Sequence, residues 1–577
     1  METNLKSDTA HSNSSISSHR SQPETPEYAD EKKETFSLDV EQAEYNGSEE
    51  EPKRKRYPAL VLAKLKQSYF YIFWILFTGF FIAAYVINIP KGYDQELLIL
   101  GLVYLYTTIY LFFCFAPTTV VTKPWNYVVN TISDFLCRRL SLRIRSFAWA
   151  LIVVIVIVAT VFSFPEKEES PRIRRLIALF GFFFLIFATW LTSAHRGAVK
   201  WNTISTAMFM QFVLALFVFR STVGSDIFQW LATFAEAFLG YSWFGADFVF
   251  GDTVANSGVF AITVFPAIIF FASVVQMLYY LGTIQFVLKK LSVVCASLLD
   301  ISGAESIVTI ASPFIGSSEN ALLIEPLIKD LTMSEIHQIM TCGFATISGS
   351  TLYGYISMGI SAKALLTSCI MSIPCSVAIS KLRYPEVEES KVKHLKVVPS
   401  HAGSETTTNI VHAAGKGAKI GIEIVFLILA NLIALLSILR AFNGFLTWAG
   451  NFLTIQNLTL EMITGYIFVP IAWMIGVDDK DLVSVGRLMA TKIWANEFAA
   501  YEDMTSTYSG LLSSRSQLVT TYALCGFANF GSVGTQVAVL STLAPNRSGD
   551  VAKLAISALI CGTLSTWLSA SIAGMLV

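Results

Sequence analysis

The sequence predicts an all-α polytopic membrane protein with about eleven transmembrane helices and two re-entrant helical hairpins arranged as inverted repeats. Three observations lead to this fold class. The chain has 577 residues, of which 54% are hydrophobic and only 14% are charged. Apolar runs close to the roughly 20 residues that a helix needs to cross a bilayer recur along it. Two further stretches consist of short apolar pieces separated by carboxylates, a pattern tolerated at membrane depth only where backbone is buried or lines a cavity.

The first segment, residues 1–57, is a polar tail. It is rich in Ser, Thr, Glu and Lys, so it cannot bury a core and is predicted to be disordered and cytoplasmic. It ends in the basic run Lys53–Arg56. Such a run is typical of a positive-inside anchor for the first helix, and a lipid or regulatory contact is the alternative. Because the N-terminus is polar, we expect no cleavable signal peptide.

Eleven stretches are apolar enough to be predicted spans. The loop 117–146 carries five basic residues against one acid, so it is predicted to be cytoplasmic, together with the N-terminus. An odd number of spans then places the C-terminus outside the cell. The predicted spans are residues 68–89, 95–116, 147–164, 176–194, 203–220, 257–284, 338–358, 363–382, 418–441, 519–541 and 552–575. Residues 225–250, which are aromatic with interspersed acids, and the short run 461–476 are predicted to be interfacial or re-entrant instead.

The two broken stretches, residues 299–335 and 480–515, are predicted to be hairpins. The first has its predicted tip near Ser312–Asn320. Each is followed by an apolar segment that contains Cys-Gly-Phe-Ala, at Cys342–Ala345 and Cys525–Ala528. One intact helix separates the two units, so their topologies should be inverted. That architecture is typical of a secondary transporter with a binding site near the midplane of the bilayer.

These boundaries give a predicted organisation in six parts. The parts are a tail (1–57), three extra N-terminal transmembrane helices (58–171), scaffold helices with an interfacial helix (172–298), the first hairpin and broken-helix repeat (299–383), a loop and connecting helix (384–460), and the second hairpin and broken-helix repeat (461–577).

Two carboxylates, Glu319 and Glu497, occupy matching places in the repeats and are the first candidates for a site. An acid at membrane depth is costly and can accept hydrogen bonds from a solute or carry a proton. A structural ion pair is the alternative, and for Glu497 the partner would be Lys492. Further candidates lie on the broken helices, although Ser and Thr in membrane helices usually bond their own backbone or a neighbouring helix. These candidates are Ser350, Thr351, Thr346, Asn529 and Ser532.

The paired acids also restrict the solute. They would repel phosphates and carboxylates, whereas hydroxyl donors match them. Phe498 and Phe527 could lie against a flat ring, although such aromatics more often only pack. A net charge of −1 gives no indication of a nucleic-acid partner, and eight Cys without a paired motif make a metal site or disulfide framework unlikely. The sequence contains no nucleophile or metal motif typical of an enzyme. A channel or uncoupled facilitator is the remaining alternative to a secondary transporter.

Three motifs resemble those of the concentrative nucleoside transporter family. Ala490–Tyr501 matches the signature [GA]-x-K-x-x-x-N-E-F-V-A-[YMF], with Ala499 in place of Val, and Cys525–Asn529 matches its Cys-Gly-Phe-Ala-Asn segment. Gly316–Glu319 is similar to its Gly-Gln-[Ser/Thr]-Glu hairpin tip, with Ser317 in place of Gln. The resemblance extends from about residue 172 to 577. It implies a eukaryotic, fungal-type member in the plasma membrane that forms a homotrimer and moves nucleosides by an elevator-type motion, without an organic cofactor.

The resemblance also implies a substrate site for a purine or pyrimidine nucleoside. Because Ser317 lacks the family's amide, the preferred base stays open. The implied residues are Ser317, Ser318, Glu319 and Thr351 toward the nucleobase, Glu497, Asn529 and Ser532 at the ribose hydroxyls, and Phe527 at the border of the pocket.

The implied coupling-ion site comprises Ser312, the Ile315 carbonyl, Thr346 and the Ile347 carbonyl. Ser312 stands where sodium-coupled members have Asn, and a hydroxyl is a poorer ligand than an amide carbonyl for a hard cation. The sequence therefore predicts proton coupling, with Glu319 as the proton carrier, because burial favours the protonated form of a carboxylate. Sodium coupling is the alternative.

Overall fold

The computed structural model describes residues 58–88, 100–101, 103–105, 107–108, 142–163, 165–166, 171–392 and 407–577. The predicted tail (1–57) and most of the predicted span 95–116 lie outside these residues. So do the side chains of 58–70, 88, 142–145 and 317–319. The chain divides into two compact units, Met1–Thr131 and Ile132–Val577, which are described separately.

The first unit contains helix α1, Pro58–Asn88, which covers the predicted span 68–89. The side of α1 that faces residues 104 and 108 makes aromatic and polar contacts. Trp74 donates to Thr108 Oγ1 at 3.2 Å, and the rings of Phe81 and Tyr104 stack with centroids 4.2 Å apart. The described part of residues 100–108 therefore runs alongside α1, as expected for consecutive spans.

The first part of the second unit is a series of helices that matches the predicted spans closely. The exception is α9, a helix that the sequence does not predict. It is followed by the next helix after a bend of 117°. Residues 225–250 form two helices rather than one. The elements are α2 (Leu142–Ser163), α3 (Arg172–Leu191), α4 (Trp201–Arg220), α5 (Thr222–Gly240), α6 (Ser242–Phe250), α7 (Asp252–Ala255), α8 (Phe260–Tyr280) and α9 (Thr283–Leu299).

The first repeat contains the predicted hairpin, a broken helix and an intact helix. The hairpin turns at residues 312–316, within the predicted tip, and the broken helix is interrupted at residues 346–348. A short 3-10 helix, Glu325–Asp330, leads from the hairpin to the broken helix. The helices are α10 (Gly303–Ala311) and α11 (Ser317–Leu323) of the hairpin, α12 (Met333–Ala345) and α13 (Gly349–Ser357) of the broken helix, and α14 (Ala362–Arg383).

Capping boxes explain two of the acids that interrupt these apolar pieces. The Glu305 carboxylate accepts from the backbone N–H of Ser302 at 2.9 Å, and Ser302 Oγ accepts from Glu305 N at 3.4 Å. Thr332 and Glu335 repeat the pattern at the start of α12. Each box satisfies backbone donors that a helix start leaves free. Glu305, which also pairs with Lys381 at 2.5 Å, is therefore structural.

The second repeat has the same sequence of elements after one long helix. That helix, α15 (Ile410–Phe452), has 43 residues and is much longer than the predicted span 418–441. It begins early because the side chain of Asn409 accepts from His412 N at 2.8 Å and caps it. The following helices are α16 (Leu460–Met474), α17 (Leu482–Trp494), α18 (Glu497–Thr505), α19 (Ser514–Leu524), α20 (Phe530–Leu543) and α21 (Ser548–Leu576).

Within the described residues, seven helices are long and apolar enough to cross a membrane. The two broken helices are not among these seven because each is divided into two short helices. The first consists of 13 residues in α12 and 9 in α13, and the second of 11 residues in α19 and 14 in α20. Helix α16, with 15 residues, is too short to span a bilayer. The fold is therefore all-α and polytopic, with two re-entrant hairpins, as the sequence predicts.

Candidate functional site

The two broken helices meet at their breaks. Phe527 N donates to the carbonyl of Thr346 at 3.2 Å, so the break in each repeat contacts the break in the other. Gly526 has φ of +156°. A Cβ there would lie 2.9 Å from both the Phe344 carbonyl oxygen and Thr566 Cγ2, so the crossing requires glycine.

Glu497 lies beside this crossing and is 3% exposed. One carboxylate oxygen accepts from the hydroxyl of Tyr355 at 3.0 Å, and the other accepts from Asn529 Nδ2 at 3.0 Å. It is the first residue of α18, whose N-cap Asn496 accepts from Ala499 N at 2.9 Å. The helix N-terminus and the two donors stabilise the charge. An ionised carboxylate has about four acceptor positions, so it retains capacity for donors on a ligand.

Lys492 does not form the ion pair with Glu497 that was the alternative role for that acid. Its ammonium donates to the carbonyl of Ala523 at 2.9 Å and to Thr566 Oγ1 at 3.3 Å. A cation at the end of α19 complements the partial negative charge of that helix C-terminus. Within the described part of the chain, Glu497 has no salt bridge, so its charge faces neutral hydrogen-bond donors.

Asn529 is oriented by its second role as a helix cap. Its side-chain oxygen accepts from Ser532 N at 2.8 Å at the start of α20. Since that oxygen is occupied by a backbone donor, the NH₂ group is the end directed at Glu497. The structure brings together three residues predicted from the sequence, Glu497, Asn529 and Ser532. Tyr355 is not predicted from the sequence, because its buried hydroxyl reaches Glu497 from the opposite repeat.

Hydroxyls from the first repeat form the facing wall. Ser348 Oγ lies 2.7 Å from Ser350 Oγ and 3.3 Å from Thr351 Oγ1. Thr351 Oγ1 also donates to the backbone carbonyl of Ser348 at 3.0 Å, a local bond of the kind usual for Thr in membrane helices. These side chains place a small hydroxyl cluster across from Glu497.

The two repeats and α15 enclose a cleft that contains most of the predicted substrate residues. Its empty volume is about 880 Å³ including the part open to solvent, within the roughly 300–1,000 Å³ typical of small-molecule sites. Glu497 is the one ionisable side chain among the described residues that line it. The lining comprises Gly316, Ser348, Ser350, Thr351, Ile424, Leu427, Ile428, Asn431, Leu432, Leu435, Asn496, Glu497, Phe498, Phe527, Asn529, Gly531, Ser532 and Thr535.

Helix α15 contributes a wall that the sequence analysis did not anticipate. Asn431 is the polar residue within the otherwise apolar run of residues 424–436, and that contrast was the available signal. Phe498, by contrast, mainly packs. Its ring lies 4.5 Å from that of Tyr355 and 5.2 Å from that of Phe260, and it is 5% exposed. Phe527 is the aromatic residue left at the border of the cleft.

The predicted coupling-ion residues also lie together. The carbonyl of Ser312 accepts from Thr346 Oγ1 at 3.3 Å, and Ile315 and Ile347 are buried at the same two breaks. Ser312 Oγ donates back to Val308 O at 2.7 Å. The side chains of Ser317, Ser318 and Glu319 lie outside the described residues, so their roles stay predictions. Gly316 lines the cleft, which places the hairpin tip at its edge.

Comparisons with known proteins agree with this geometry. Three family models match the chain: the Na+ dependent nucleoside transporter N-terminus over residues 180–253, nucleoside recognition over 261–362, and the Na+ dependent nucleoside transporter C-terminus over 364–574. Together they cover most of the second unit, including both repeats and α15.

Individual relatives support the same family. Sodium/nucleoside cotransporter 1 of Oryctolagus cuniculus is 38% identical over 71% of this chain, which spans 64% of the relative's length. Solute carrier family 28 member 3 of Eptatretus stoutii is 36% identical, and the match covers 87% of this chain and 74% of the relative's length. The solved structure of CNTnw in an inward-facing substrate-bound state has a TM-score of 0.66 at 33% identity, covering 70% of this chain and 98% of that chain. The chain therefore belongs to the concentrative nucleoside transporter family.

Proposed function

We propose that the protein is a secondary active symporter that imports nucleosides across the plasma membrane. The observation that carries this proposal is the buried Glu497 carboxylate, which has no salt bridge to any described residue and is held by Tyr355 and Asn529 at the edge of a cleft. A fixed acceptor of this kind suits vicinal hydroxyls, because each can donate to a charged oxygen. Ribose presents such a pair, and the facing Ser and Thr hydroxyls supply donors and acceptors for a base.

The coupling ion in this proposal is sodium, the alternative in the sequence analysis, rather than the proton that the sequence favoured. The matching family models are described as Na+ dependent, and relatives are named sodium/nucleoside cotransporters. The preference for a proton depended on the loss of one amide at Ser312. The other implied ligands, the Ile315 carbonyl, Thr346 and the Ile347 carbonyl, are present, and Thr346 Oγ1 lies 3.3 Å from the Ser312 carbonyl. Hydroxyls and carbonyls at helix ends are suitable partners for a sodium ion.

The remaining features follow the family. We propose Thr351, Glu497, Phe527, Asn529 and Ser532 as substrate residues, together with Ser317, Ser318 and Glu319 of the tip. The six-part organisation predicted from the sequence, the homotrimer, the elevator-type motion, a cytoplasmic N-terminus and an extracellular C-terminus belong to the same proposal. Helix α15 separates the two repeats in the chain and borders the cleft, as a static wall for a moving site would.

Uptake measurements test this proposal directly. Labelled uridine and adenosine would be supplied to transport-deficient cells that express the chain, with sodium or choline outside and at two external pH values. The proposal expects saturable accumulation that requires sodium. Accumulation that follows the pH gradient regardless of sodium would contradict the coupling ion, and the absence of uptake of both nucleosides would contradict the substrate class.

A further inference from the structure

Asn320 is a buried polar residue at the first hairpin that the site described above does not use. It lies in α11 and is 2% exposed. Its Nδ2 donates to Ser312 Oγ at 3.1 Å and to the carbonyl of Ile315 at 3.2 Å. A backbone carbonyl can only accept, so the contact with Ile315 fixes which end of the carboxamide is the nitrogen.

The other end of the same carboxamide has no partner. Asn320 Oδ1 is fully buried, and no described residue donates a hydrogen bond to it. A buried amide oxygen without a hydrogen-bond donor is unfavourable. Helix capping does not account for the burial of Asn320 Oδ1, because this oxygen accepts no hydrogen bond from a backbone N–H.

The surroundings of Asn320 are rich in oxygen ligands. Helices α10 and α12 end at Ala311 and Ala345, and Thr346 Oγ1 connects these ends through the Ser312 carbonyl at 3.3 Å. The last carbonyls of a helix lack intrahelical donors and carry partial negative charge. The Asn320 carboxamide contacts Ser312 and Ile315 at the same tip, and helix ends of this kind can coordinate a small hard cation.

We propose that Asn320 Oδ1 is a direct ligand of the coupling sodium ion, and that Ser312 is a positioning residue rather than a ligand. The NH₂ group holds the carboxamide in place through Ser312 Oγ and the Ile315 carbonyl, and the oxygen faces the ion. Asn320 thus supplies, from the second helix of the hairpin, the amide oxygen that Ser312 lacks. This inference rests on the proposed sodium-coupled uptake.

The position of Asn320 also connects the ion to the nucleoside. Its backbone N–H donates to the carbonyl of Gly316 at 3.0 Å, and Gly316 lines the cleft. An ion held by Asn320 therefore orders the tip that borders the nucleoside, which is the requirement for one ligand to promote binding of the other.

The test compares two variants of Asn320 in the full-length protein. Asn320→Leu removes the oxygen and keeps a similar volume, whereas Asn320→Asp keeps an oxygen ligand and adds charge. Asn451→Ala, at an exposed position near the end of α15, is the matched control. Sodium activation of uridine uptake is measured in cells, and sodium-dependent thermal stabilisation is measured on purified protein without nucleoside.

We expect Asn320→Leu to raise the half-saturating sodium concentration at least about tenfold, the scale of losing one metal contact, and to weaken stabilisation by sodium in parallel. Asn320→Asp keeps an oxygen but loses the NH₂ contacts with Ser312 and Ile315, so it should retain both responses better than Asn320→Leu, and the control should match the wild type. Wild-type sodium activation in Asn320→Leu would overturn the inference. So would equal defects in the Leu and Asp variants, because those would assign the role to the NH₂ group. A wild type that takes up nucleoside without sodium dependence overturns it too, and one that takes up none contradicts the proposed function instead.

Discussion

Glu497 and Asn529 form a 3.0 Å hydrogen bond across 32 residues of sequence. It connects the second hairpin to the second broken helix at the cleft. The Asn529 oxygen accepts from Ser532 N, and this contact orients the NH₂ group toward Glu497. The orientation of this acceptor depends on a helix cap, so the proposed substrate contact and the cap of α20 share the Asn529 side chain.

Replacing Glu497 by Gln should abolish uptake. The neutral amide loses two acceptor positions for charge-assisted hydrogen bonds, each of which contributes about 1.5–3 kcal/mol. We expect a loss of at least roughly 100-fold in uptake efficiency for uridine, at unchanged surface abundance measured by biotinylation. Near-normal uptake with normal surface protein would remove Glu497 from the ribose site.

Removal of the Tyr355 hydroxyl should have a smaller, separable effect. Tyr355→Phe keeps the ring contacts with Phe498 and Tyr501 and removes one donor to Glu497. The loss of this hydrogen bond should weaken uridine binding by about 1–2 kcal/mol, because the carboxylate is held less firmly. The KM for uridine should therefore rise by roughly tenfold while the maximal rate changes little. A fall in maximal rate at unchanged KM would indicate a role in the transport movement instead.

Substitution of Gly526 tests the crossing of the broken helices. In Gly526→Ala the new Cβ would meet the Phe344 carbonyl and Thr566 at 2.9 Å, and the backbone has φ of +156°. We expect a lower melting temperature of the purified protein and reduced surface abundance. Gly534→Ala is a suitable control because a Cβ there meets nothing within 4 Å. Equal melting temperatures for the two variants would contradict the steric argument.

Asn431 offers a test of base preference from the α15 wall. Its amide lines the cleft and has no side-chain hydrogen bond to another described residue. We expect Asn431→Leu to change the ratio of KM values for uridine and adenosine by about 3–10-fold, the scale of one neutral hydrogen bond. Sodium activation should be unaltered. If both KM values stay at the wild-type level, Asn431 does not contact the base.

The sequence was sufficient to predict the repeats and the Glu497 half of the site, because Asn496, Glu497 and Asn529 are polar residues in apolar surroundings with a repeated context. Contacts between the repeats were not predictable. Tyr355 reaches Glu497 across 142 residues of sequence, from the opposite repeat. The long extension of α15 was missed because its first turns, from Ile410, contain Gly, Lys and His, which resemble a loop until the Asn409 cap is seen.

The proposed coupling ion differs from the proton that the sequence predicts. That prediction gave most weight to Ser312, whereas a hydrogen bond at the hairpin tip connects Ser312 to Asn320 eight residues later. If Asn320 is the ligand, the amide lies on the second helix of the hairpin, where a comparison of position 312 alone does not detect it. The proposed sodium site therefore depends on a contact that is visible only in three dimensions.

The most direct test of the central claim is uridine accumulation in proteoliposomes that contain the purified full-length chain. An inward sodium gradient is imposed at equal internal and external pH, with the Glu497→Gln variant measured in parallel. We predict transient accumulation above the external concentration for the wild type and none for the variant. Wild-type uridine that only equilibrates, or accumulation that persists in Glu497→Gln, would contradict sodium-coupled transport through this site.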